Sequence, residues 1–468
     1  MATNTPAPGA GVIEEAVLAG MPSAIAELSG LVRLPSVSWD GYDPAHVAAS
    51  AGAIAELTRA TGVFDSVEVL RAPMSGTAEL GHPAVLATRA ARNGRPTVML
   101  YAHHDVQPQG DEALWESPPF EPTLRGDRLY GRGASDDKAG VATHLAAIRA
   151  LREVTGGDLQ VGIVLFLEGE EEFGSRSFPS FLEQQRDRLA ADVIVVADSD
   201  NWSTTTPSVT VSLRGNVAFN LTVSTLDHAV HSGMFGGAAP DAMLAAIRLL
   251  ATLWNEDGTV AVEGMSRFEG IPAPDFPLDR FREESGILDG VRPIGQDGGA
   301  LYGQMWFGPA ITITGIDAPS VRDASNTLSP SVRVRVSARV APGQTATEAF
   351  AALERHLNAN IPLGALISIA DVDNGEPFLV DTSGWAFAEV KRALAAGWGA
   401  DPVEAGIGGS IPFISDLARV FPEAQILVTG VEDPDTRAHS PNESQHLGVL
   451  RRAILSEALL LQHLDARS

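Results

Sequence analysis

The 468-residue sequence contains no cysteine. This absence excludes disulfide bonds, thiolate zinc sites and a cysteine nucleophile, so any metal ion must be held by His, Asp and Glu. Basic residues are also scarce: 33 Lys and Arg stand against 59 Asp and Glu, which gives a formal charge of −26. A surface of this sign repels phosphate backbones and anionic lipids, so the sequence predicts no binding to nucleic acid or membranes.

Long apolar runs and targeting signals are missing as well. The longest unbroken apolar stretches, such as VLFL at 164–167 and VIVVA at 193–197, are far shorter than the roughly 18 residues of a membrane-spanning helix. The N-terminal MATNTPAPGAGVIEE has no basic residue followed by an apolar core and does not resemble a secretory signal. We therefore expect a cytoplasmic protein.

The first part of the chain alternates between helical and strand-like patterns. Apolar residues recur at helical spacing in three segments: 12–33, 44–62 and 138–153. Short apolar runs typical of buried parallel strands lie at 97–102, 161–167 and 193–197. This alternation predicts an α/β domain with a mostly parallel sheet.

The pattern changes near residue 208. Residues alternate with period two at 208–224 and 331–340, which indicates an antiparallel sheet with one solvated face. Helical and buried-strand patterns then return at 384–397, 425–429 and 446–463. We therefore predict a catalytic domain made of 1–210 and 381–468, interrupted by an inserted α+β lid or dimerisation domain at 211–380. The elements within 264–310 cannot be placed from the pattern.

Acidic and histidine side chains follow every predicted buried strand. They occur at His103 and Asp105, at Glu168–Glu172, at Asp198 and Asp200, and in the loop that leads to His439. Functional groups of parallel sheets collect at the carboxyl ends of the strands, so these side chains are predicted to meet at one edge. Asp136 and Asp137 precede the helix predicted at 138–153, where the helix dipole favours negative charge.

So many carboxylates at one edge would repel one another unless cations lay among them. Imidazoles and carboxylates without thiols suit Zn²⁺, Mn²⁺ or Co²⁺, and one carboxylate shared by two ions is the arrangement of two-metal hydrolases. Taken singly, each motif is also explained as a helix cap, a turn or a solvated acidic surface. Their joint placement favours a metal site.

Six motifs resemble the M20 family of co-catalytic metallopeptidases, in particular its carnosinase and cytosolic non-specific dipeptidase branch. They are YAHHDVQP (101–108), GRGASDDKAG (131–140), EGEEEFGS (168–175), VADSDNW (196–202), HSGMFGG (231–237) and GGSIP (408–412).

The resemblance implies two divalent ions per subunit, with Zn²⁺ as the first candidate and Mn²⁺ or Co²⁺ as alternatives. The implied ligands are His103 and Asp198 for one ion and Glu172 and His439 for the other, with Asp136 bridging both. The Asp136–Asp137 peptide bond is expected to be cis. Asp105 would orient the His103 ring, and Glu171 would act as general base and then as general acid.

The resemblance also assigns roles within the inserted domain. His231 would reach the active site of a second subunit and stabilise the oxyanion, which implies a homodimer. Arg339 would bind the substrate carboxylate, and Thr327 and Ser410 would contact the substrate. One departure is that Gly406-Ile407 precedes the GGSIP motif where the branch usually has Arg-Glu.

We therefore predict a metallodipeptidase that hydrolyses dipeptides or similar small amides with a free carboxylate. The alternative within enzymes is an N-acyl-amino-acid amidohydrolase, similar to aminoacylase, on the same two-metal site. The alternative outside enzymes is an acidic metal-binding protein without turnover. A dinucleotide-binding site is excluded because Gly131-Arg-Gly-Ala-Ser-Asp136 lacks the third glycine and places a carboxylate where the pyrophosphate would bind.

Overall fold

A computed structural model describes residues 9–295, 301–409 and 412–467 of the chain. The chain divides into two units. The first comprises Met1–Val211, Val380–Ala405 and Asp416–Ser468, and the second comprises Ser212–Leu379 and Gly406–Ser415. The predicted roles of a catalytic domain and a lid or dimerisation domain remain a proposal.

The described residues contain thirteen α-helices. In chain order they are α1 Ala10–Val32, α2 Pro44–Ala60, α3 Lys138–Val154, α4 Phe178–Gln184, α5 Arg186–Leu189, α6 Ser232–Phe235, α7 Ala242–Ala251, α8 Leu278–Ser285, α9 Leu301–Phe307, α10 Ala346–Ala359, α11 Trp385–Trp398, α12 Pro412–Val420 and α13 Leu447–Ala466.

The described residues also contain eighteen strands. They are β1 Ser66–Leu70, β2 Ala84–Arg89, β3 Thr97–His103, β4 Thr123–Arg125, β5 Arg128–Tyr130, β6 Gly162–Glu168, β7 Val193–Val196, β8 Ser208–Leu213, β9 Gly215–Ser224, β10 Val230–His231, β11 Ala310–Asp317, β12 Thr327–Leu328, β13 Ser331–Val340, β14 Leu366–Gly375, β15 Phe378–Leu379, β16 Val403–Ile407, β17 Gln425–Thr429 and β18 Ser444–His446.

The main sheet of the first unit has the strand order β1-β2-β6-β3-β7-β17-β8. Its centre, β6-β3-β7-β17, is parallel, whereas β1, β2 and β8 pair antiparallel at its two sides. Strands β6 and β7 are buried along their whole length, as expected of a parallel sheet with both faces covered. The predicted α/β fold with a mostly parallel sheet is confirmed.

Two helices of this fold, α2 and α10, begin with side-chain caps. The Asp43 carboxylate accepts a hydrogen bond from Ala45 N at 2.9 Å at the start of α2. At the start of α10, Thr345 Oγ1 accepts from Glu348 N while Glu348 Oε2 accepts from Thr345 N, which forms a capping box. Such side chains satisfy backbone donors that have no partner inside the helix.

The second unit contains an antiparallel sheet with the order β11-β13-β9-β14. Alternate residues of β9 and β13, including Phe219 and Val336, are buried in a core that α7 and α10 also line. The alternation predicted at 331–340 therefore marks a sheet with one buried face. Two helices, α8 and α9, lie within the segment that the pattern left unplaced.

The run predicted as one alternating segment, 208–224, is two strands that belong to different sheets. β8 ends at Leu213, and β9 begins at Gly215. A side chain at Gly215 would approach Gly375 O to 2.5 Å, so the chain can pass here only because residue 215 has no Cβ.

Helix α1 has the length and apolar composition of a membrane span, with a mean hydropathy of 1.2 over its 18-residue window. One third of that window is buried, and α1 contacts α3 and α13 of the first unit. Ile13, Leu28 and Leu31 are among its buried residues. Helices in the cores of proteins also satisfy this test of length and composition.

Candidate metal centre

Parallel strands of the first unit place the first predicted ligands. His103 is the last residue of β3 and lies opposite Glu168 in the register with β6. Asp198 follows the end of β7, which pairs with the other side of β3. The carboxyl ends of three adjacent strands therefore bring together residues that are up to 95 positions apart in the chain.

Asp136 lies between the two predicted histidine ligands. Its Oδ1 is 3.1 Å from His103 Nε2, and its Oδ2 is 2.9 Å from His439 Nε2. Each carboxylate oxygen thus faces a different imidazole, as a carboxylate shared between two cations requires. His439 itself adopts a positive φ of 61°, which is uncommon for a residue with a side chain.

Three further acidic groups surround these residues. Glu172 Oε2 lies 3.3 Å from His439 Nε2, and Asp198 Oδ1 lies 3.9 Å from His103 Nε2. Glu171 Oε2 is also 3.9 Å from His103 Nε2. All five predicted ligands and the predicted base are therefore found in one cluster.

The electrostatics of the cluster show an excess of negative charge. Burial, together with the charge of Asp136, raises the pKa of Glu172 to about 7 and that of Asp198 to about 6. Burial also raises the pKa of Glu171 well above its usual value, with repulsion from Asp198 and Glu172 adding to the effect. Hydrogen bonds with Asp136 and Glu172 raise the pKa of His439 to about 10.

This donor set fits divalent cations. His103, Asp136 and Glu172 offer ligand atoms that lie within 4.8 Å of one another, and so do His103, Asp137 and Asp198. Imidazole nitrogen and carboxylate oxygen are suitable ligands for Zn²⁺, Mn²⁺ and Co²⁺. Cations at this position would neutralise the repulsion that raises the carboxyl pKa values.

Asp105 supports both His103 and the acidic segment. Its Oδ1 is 3.4 Å from His103 Nδ1, which is consistent with the predicted orienting role. The same carboxylate accepts hydrogen bonds from Glu171 N and Glu172 N, both at 3.1 Å, and from Ser38 Oγ at 2.7 Å. One buried aspartate thereby fixes a ligand and the backbone of the next two functional residues.

The loop that carries Asp136 is held by a residue that the motifs did not single out. The fully buried Glu443 accepts hydrogen bonds from the backbone N–H groups of Gly133, Ser135 and Asp136 at 3.0–3.1 Å and from Arg132 Nη1 at 2.7 Å. The Asp136–Asp137 peptide bond is cis, as the resemblance implied.

Asp137 completes this loop. Its Oδ1 accepts from Gly140 N at the start of α3, and its Oδ2 accepts from His103 N, both at 3.2 Å. The helix cap therefore also fixes the end of β3, where the first ligand lies.

Gln107 is a second residue that the sequence analysis did not identify. Its side-chain and backbone N–H groups donate to the Glu172 carboxylate. Sequence spacing reveals neither Gln107 nor Glu443, because their partners lie 65 and about 310 residues away. The DVQP sequence after His103 was the one local signal for Gln107.

The other predicted contact residues belong to the second unit. His231 of β10 pairs with Thr327 of β12, so the structure places these two residues side by side. Arg339 lies on β13, opposite Asn216 of β9. Ser410 lies outside the described residues.

The departure at Gly406 has a steric explanation within the second unit. A Cβ at residue 406 would lie 2.6 Å from Trp306 Cβ and 2.8 Å from Ser212 Oγ. Arg214 then links the neighbouring segments, because its Nε donates to Gly408 O at 2.9 Å and its Nη1 to Gly308 O at 3.1 Å. The Cβ and Cγ atoms of Trp306 thus occupy the space that a larger residue 406 would need.

The α/β sheet of the first unit thus carries His and carboxylate groups at the carboxyl ends of its parallel strands, as a metal-binding centre requires. The model of Peptidase family M20/M25/M40 matches residues 99–463. The chain belongs to this peptidase family, and the resemblance found in its motifs is confirmed.

Named relatives extend the comparison. The chain is 34% identical over 371 residues to the cysteinylglycine-S-conjugate dipeptidase of Corynebacterium striatum, covering 78% of this chain and 80% of the relative. It is 27% identical over 386 residues to human Beta-Ala-His dipeptidase, covering 77% and 73%. The solved structure of the dipeptidase Dug1p from Saccharomyces cerevisiae shares the fold, with a TM-score of 0.80, 21% identity and coverage of 98% and 99%.

Proposed function

We propose that this protein is a metal-dependent dipeptidase in which Asp136 would be shared by two cations. The observation that carries the proposal is the position of that carboxylate, with one oxygen 3.1 Å from His103 and the other 2.9 Å from His439. A carboxylate whose two oxygens face different imidazoles is placed as a group shared by two cations needs to be.

The cations would be held by His103 and Asp198 on one side and by Glu172 and His439 on the other. Zn²⁺ is the first candidate, with Mn²⁺ or Co²⁺ as alternatives, since all three accept imidazole and carboxylate ligands. When bound, such ions polarise the scissile carbonyl group and make water acidic enough to attack near neutral pH.

Glu171 would carry the proton during the reaction. Its carboxylate accepts a proton from the attacking water and later gives it to the leaving amine. Burial and the neighbouring carboxylates raise the pKa of Glu171, which is the direction that a group with both duties needs. Its side chain is 18% exposed, so water and substrate have access to it.

Residues of the second unit would complete substrate binding. The neighbouring His231 and Thr327 lie in one short strand pair, where the imidazole can donate to the oxyanion and the hydroxyl can contact the substrate. Arg339 would bind the substrate carboxylate, and Ser410 would be a further contact. We propose that His231 acts on the active site of a second subunit, so that the active protein is a homodimer. We also propose that the protein is cytoplasmic.

The relatives favour dipeptides over N-acyl amino acids. Those reported above are named as dipeptidases that act on a cysteinylglycine conjugate and on Beta-Ala-His. We infer that the substrates are dipeptides with a free carboxylate. The N-acyl-amino-acid alternative uses the same metal centre but is not favoured by these relatives.

A substrate panel tests the proposal. Cys-Gly, Beta-Ala-His, other dipeptides and N-acetyl amino acids are compared at equal concentration after metal-free protein is loaded separately with Zn²⁺, Mn²⁺ or Co²⁺. We expect dipeptides to have the higher kcat/KM. Faster hydrolysis of N-acetyl amino acids would favour the alternative, and no hydrolysis with any ion would contradict enzymatic function.

A further inference from the structure

Gln107 donates hydrogen bonds to both carboxylate oxygens of Glu172. Gln107 N donates to Glu172 Oε1 at 3.1 Å, and Gln107 Nε2 donates to Glu172 Oε2 at 2.7 Å. The same Nε2 lies 3.3 Å from the Glu172 carbonyl oxygen. The amide group of one residue therefore contacts the carboxylate and the backbone of a proposed metal ligand.

The backbone from which Gln107 reaches is itself fixed. The preceding residue, Val106, is fully buried, forms a parallel bridge with Val37 and donates from its N to Ser36 O at 3.0 Å. Val106 holds the backbone on the Gln107 side, and the hydrogen bond from Glu172 N to Asp105 holds the backbone on the Glu172 side. The hydrogen bonds from Gln107 therefore select one orientation of the Glu172 carboxylate. That orientation places Oε2 3.3 Å from His439 Nε2.

The chemistry of the donor matters as much as its position. A lysine or arginine here would neutralise Glu172 and repel a cation bound beside it. The amide is neutral, so it orients the carboxylate and leaves its charge available to the ion. An amide at residue 107 is therefore suited to a ligand-holding role in a way that a basic residue is not.

The two proposed ligand pairs, Glu172 with His439 and His103 with Asp198, differ in the hydrogen bonds that their carboxylates accept. Within the described parts of the chain, the Asp198 carboxylate accepts no hydrogen bond from the protein, whereas Glu172 accepts one at each oxygen. A change at residue 107 should thus affect the half formed by Glu172 and His439 and leave the half formed by His103 and Asp198 unaltered.

We propose that Gln107 is a positioning residue that sets the affinity of one cation, the one held by Glu172 and His439. The proposal rests on the two-cation function above and adds a residue to it. Partners of this kind, which hold a ligand without touching the ion, typically change metal affinity by about 10–100-fold.

The test is a metal titration of four variants of the metal-free full-length protein. Co²⁺ binding is followed by its visible absorption, and Zn²⁺ binding by competition with a chromophoric chelator, so that two dissociation constants are obtained without any activity assay. Glu172→Gln and Asp198→Asn identify which binding event belongs to which half. Gln107→Met removes the amide at similar volume, and Gln109→Leu is the control, since Gln109 Nε2 donates to the exposed Glu112.

We expect Gln107→Met to weaken, by about 10–100-fold, the binding event that Glu172→Gln also weakens, and to leave the other unchanged. Gln109→Leu should change neither. Unaltered constants in Gln107→Met, weakening of both events alike, or weakening of the event assigned to Asp198 would each overturn the inference.

Two further results keep the outcomes distinct. If Gln107→Met unfolds, Gln107→Asn is used, since it keeps the amide but is one methylene too short to reach Glu172 Oε2, and the same selective loss is expected. If the wild-type protein binds two ions and Gln107→Met binds them equally well, the inference about Gln107 fails alone. If the wild-type protein binds no second ion, the two-cation function fails, and the inference fails with it.

Discussion

Replacing Glu443 by Gln tests how the loop that carries Asp136 is held. Glu443 is fully buried, and its two oxygens each accept two hydrogen bonds. Oε2 faces Arg132 Nη1 and Gly133 N, and Oε1 faces Ser135 N and Asp136 N. A glutamine has almost the same shape, but one of its two terminal groups is an NH₂ donor.

The expected cost follows from this geometry. Whichever oxygen the NH₂ group replaces, two donors lose their acceptor and meet another donor instead. In addition, Arg132, which is 1% exposed, keeps its charge without a negatively charged partner. Removing one member of a buried ion pair costs about 3–5 kcal/mol, so we expect Glu443→Gln to lower the free energy of unfolding by that amount.

Urea unfolding and hydrogen exchange measure this effect. The surface pair Arg125–Glu116 supplies the control, because Glu116 is 72% exposed and Glu116→Gln should change stability by about 0–1 kcal/mol. Glu443→Gln should also speed amide exchange in the peptide that covers 131–137. If its midpoint matches that of Glu116→Gln and exchange in 131–137 is unchanged, Glu443 does not hold the loop.

Three further predictions concern catalysis, pH and packing. Glu171→Gln should lower kcat by about 10²–10⁴-fold while metal content, measured by elemental analysis, stays at the wild-type value; wild-type turnover would remove Glu171 from the mechanism. Burial raises the folded-state pKa of Asp198 to about 6 and of Glu172 to about 7, so the protonated forms stabilise the metal-free fold. That stability is complete below the unfolded-state values near pH 4 and is lost as pH rises through 6 to 7, at about 3 kcal/mol for either group taken alone. The Tm of metal-free protein should therefore fall from pH 5 to pH 8, less steeply in Asp198→Asn, and added Zn²⁺ should raise it more at pH 8; a flat or rising Tm contradicts the reasoning. Gly406→Arg should destabilise the second unit by about 1–3 kcal/mol or more, because Cβ and Cγ of Trp306 occupy the space. Trp306→Gly, which removes both atoms, should relieve part of that loss in the double variant; additive effects would contradict the packing argument.

The sequence predicted best the strands whose burial pattern is uniform along their whole length. β13 and β17 have the predicted bounds, 331–340 and 425–429. The strict alternation of β13 reflects one buried face, and the continuous apolar run of β17 reflects two buried faces. Edge strands such as β1 and β14 were missed, since their residues are mostly exposed or half-buried and carry no clear period. The break at Gly215 was missed because the alternation continues across it.

The same reasoning explains which site residues the sequence could indicate. His103 and Asp198 follow directly on buried strands, so the carboxyl-edge rule groups them without knowledge of the fold. Gln107 and Glu443 act through hydrogen bonds to distant backbone and side-chain groups, and no local spacing marks such partners. Assigning Glu172 and His439 to a second ion required the family resemblance, because the acidic run 168–172 alone does not say which carboxylate faces the site.

The distribution of hydrogen-bond donors explains why cations are needed at one place in this acidic sheet edge. The supporting carboxylates are each satisfied by the protein: Asp105 by Ser38 and two backbone N–H groups, Asp137 by two backbone N–H groups, and Glu443 by four donors. Within residues 9–295, 301–409 and 412–467, the carboxylates of Glu171 and Asp198 accept no such hydrogen bond. The negative charge of Glu171 and Asp198, which both lie 3.9 Å from His103 Nε2, is therefore left without donors from the protein. A protein that balances its supporting carboxylates and leaves these unbalanced is organised to bind positive ions there, and the repulsion that remains without them is what the metal-free Tm should report.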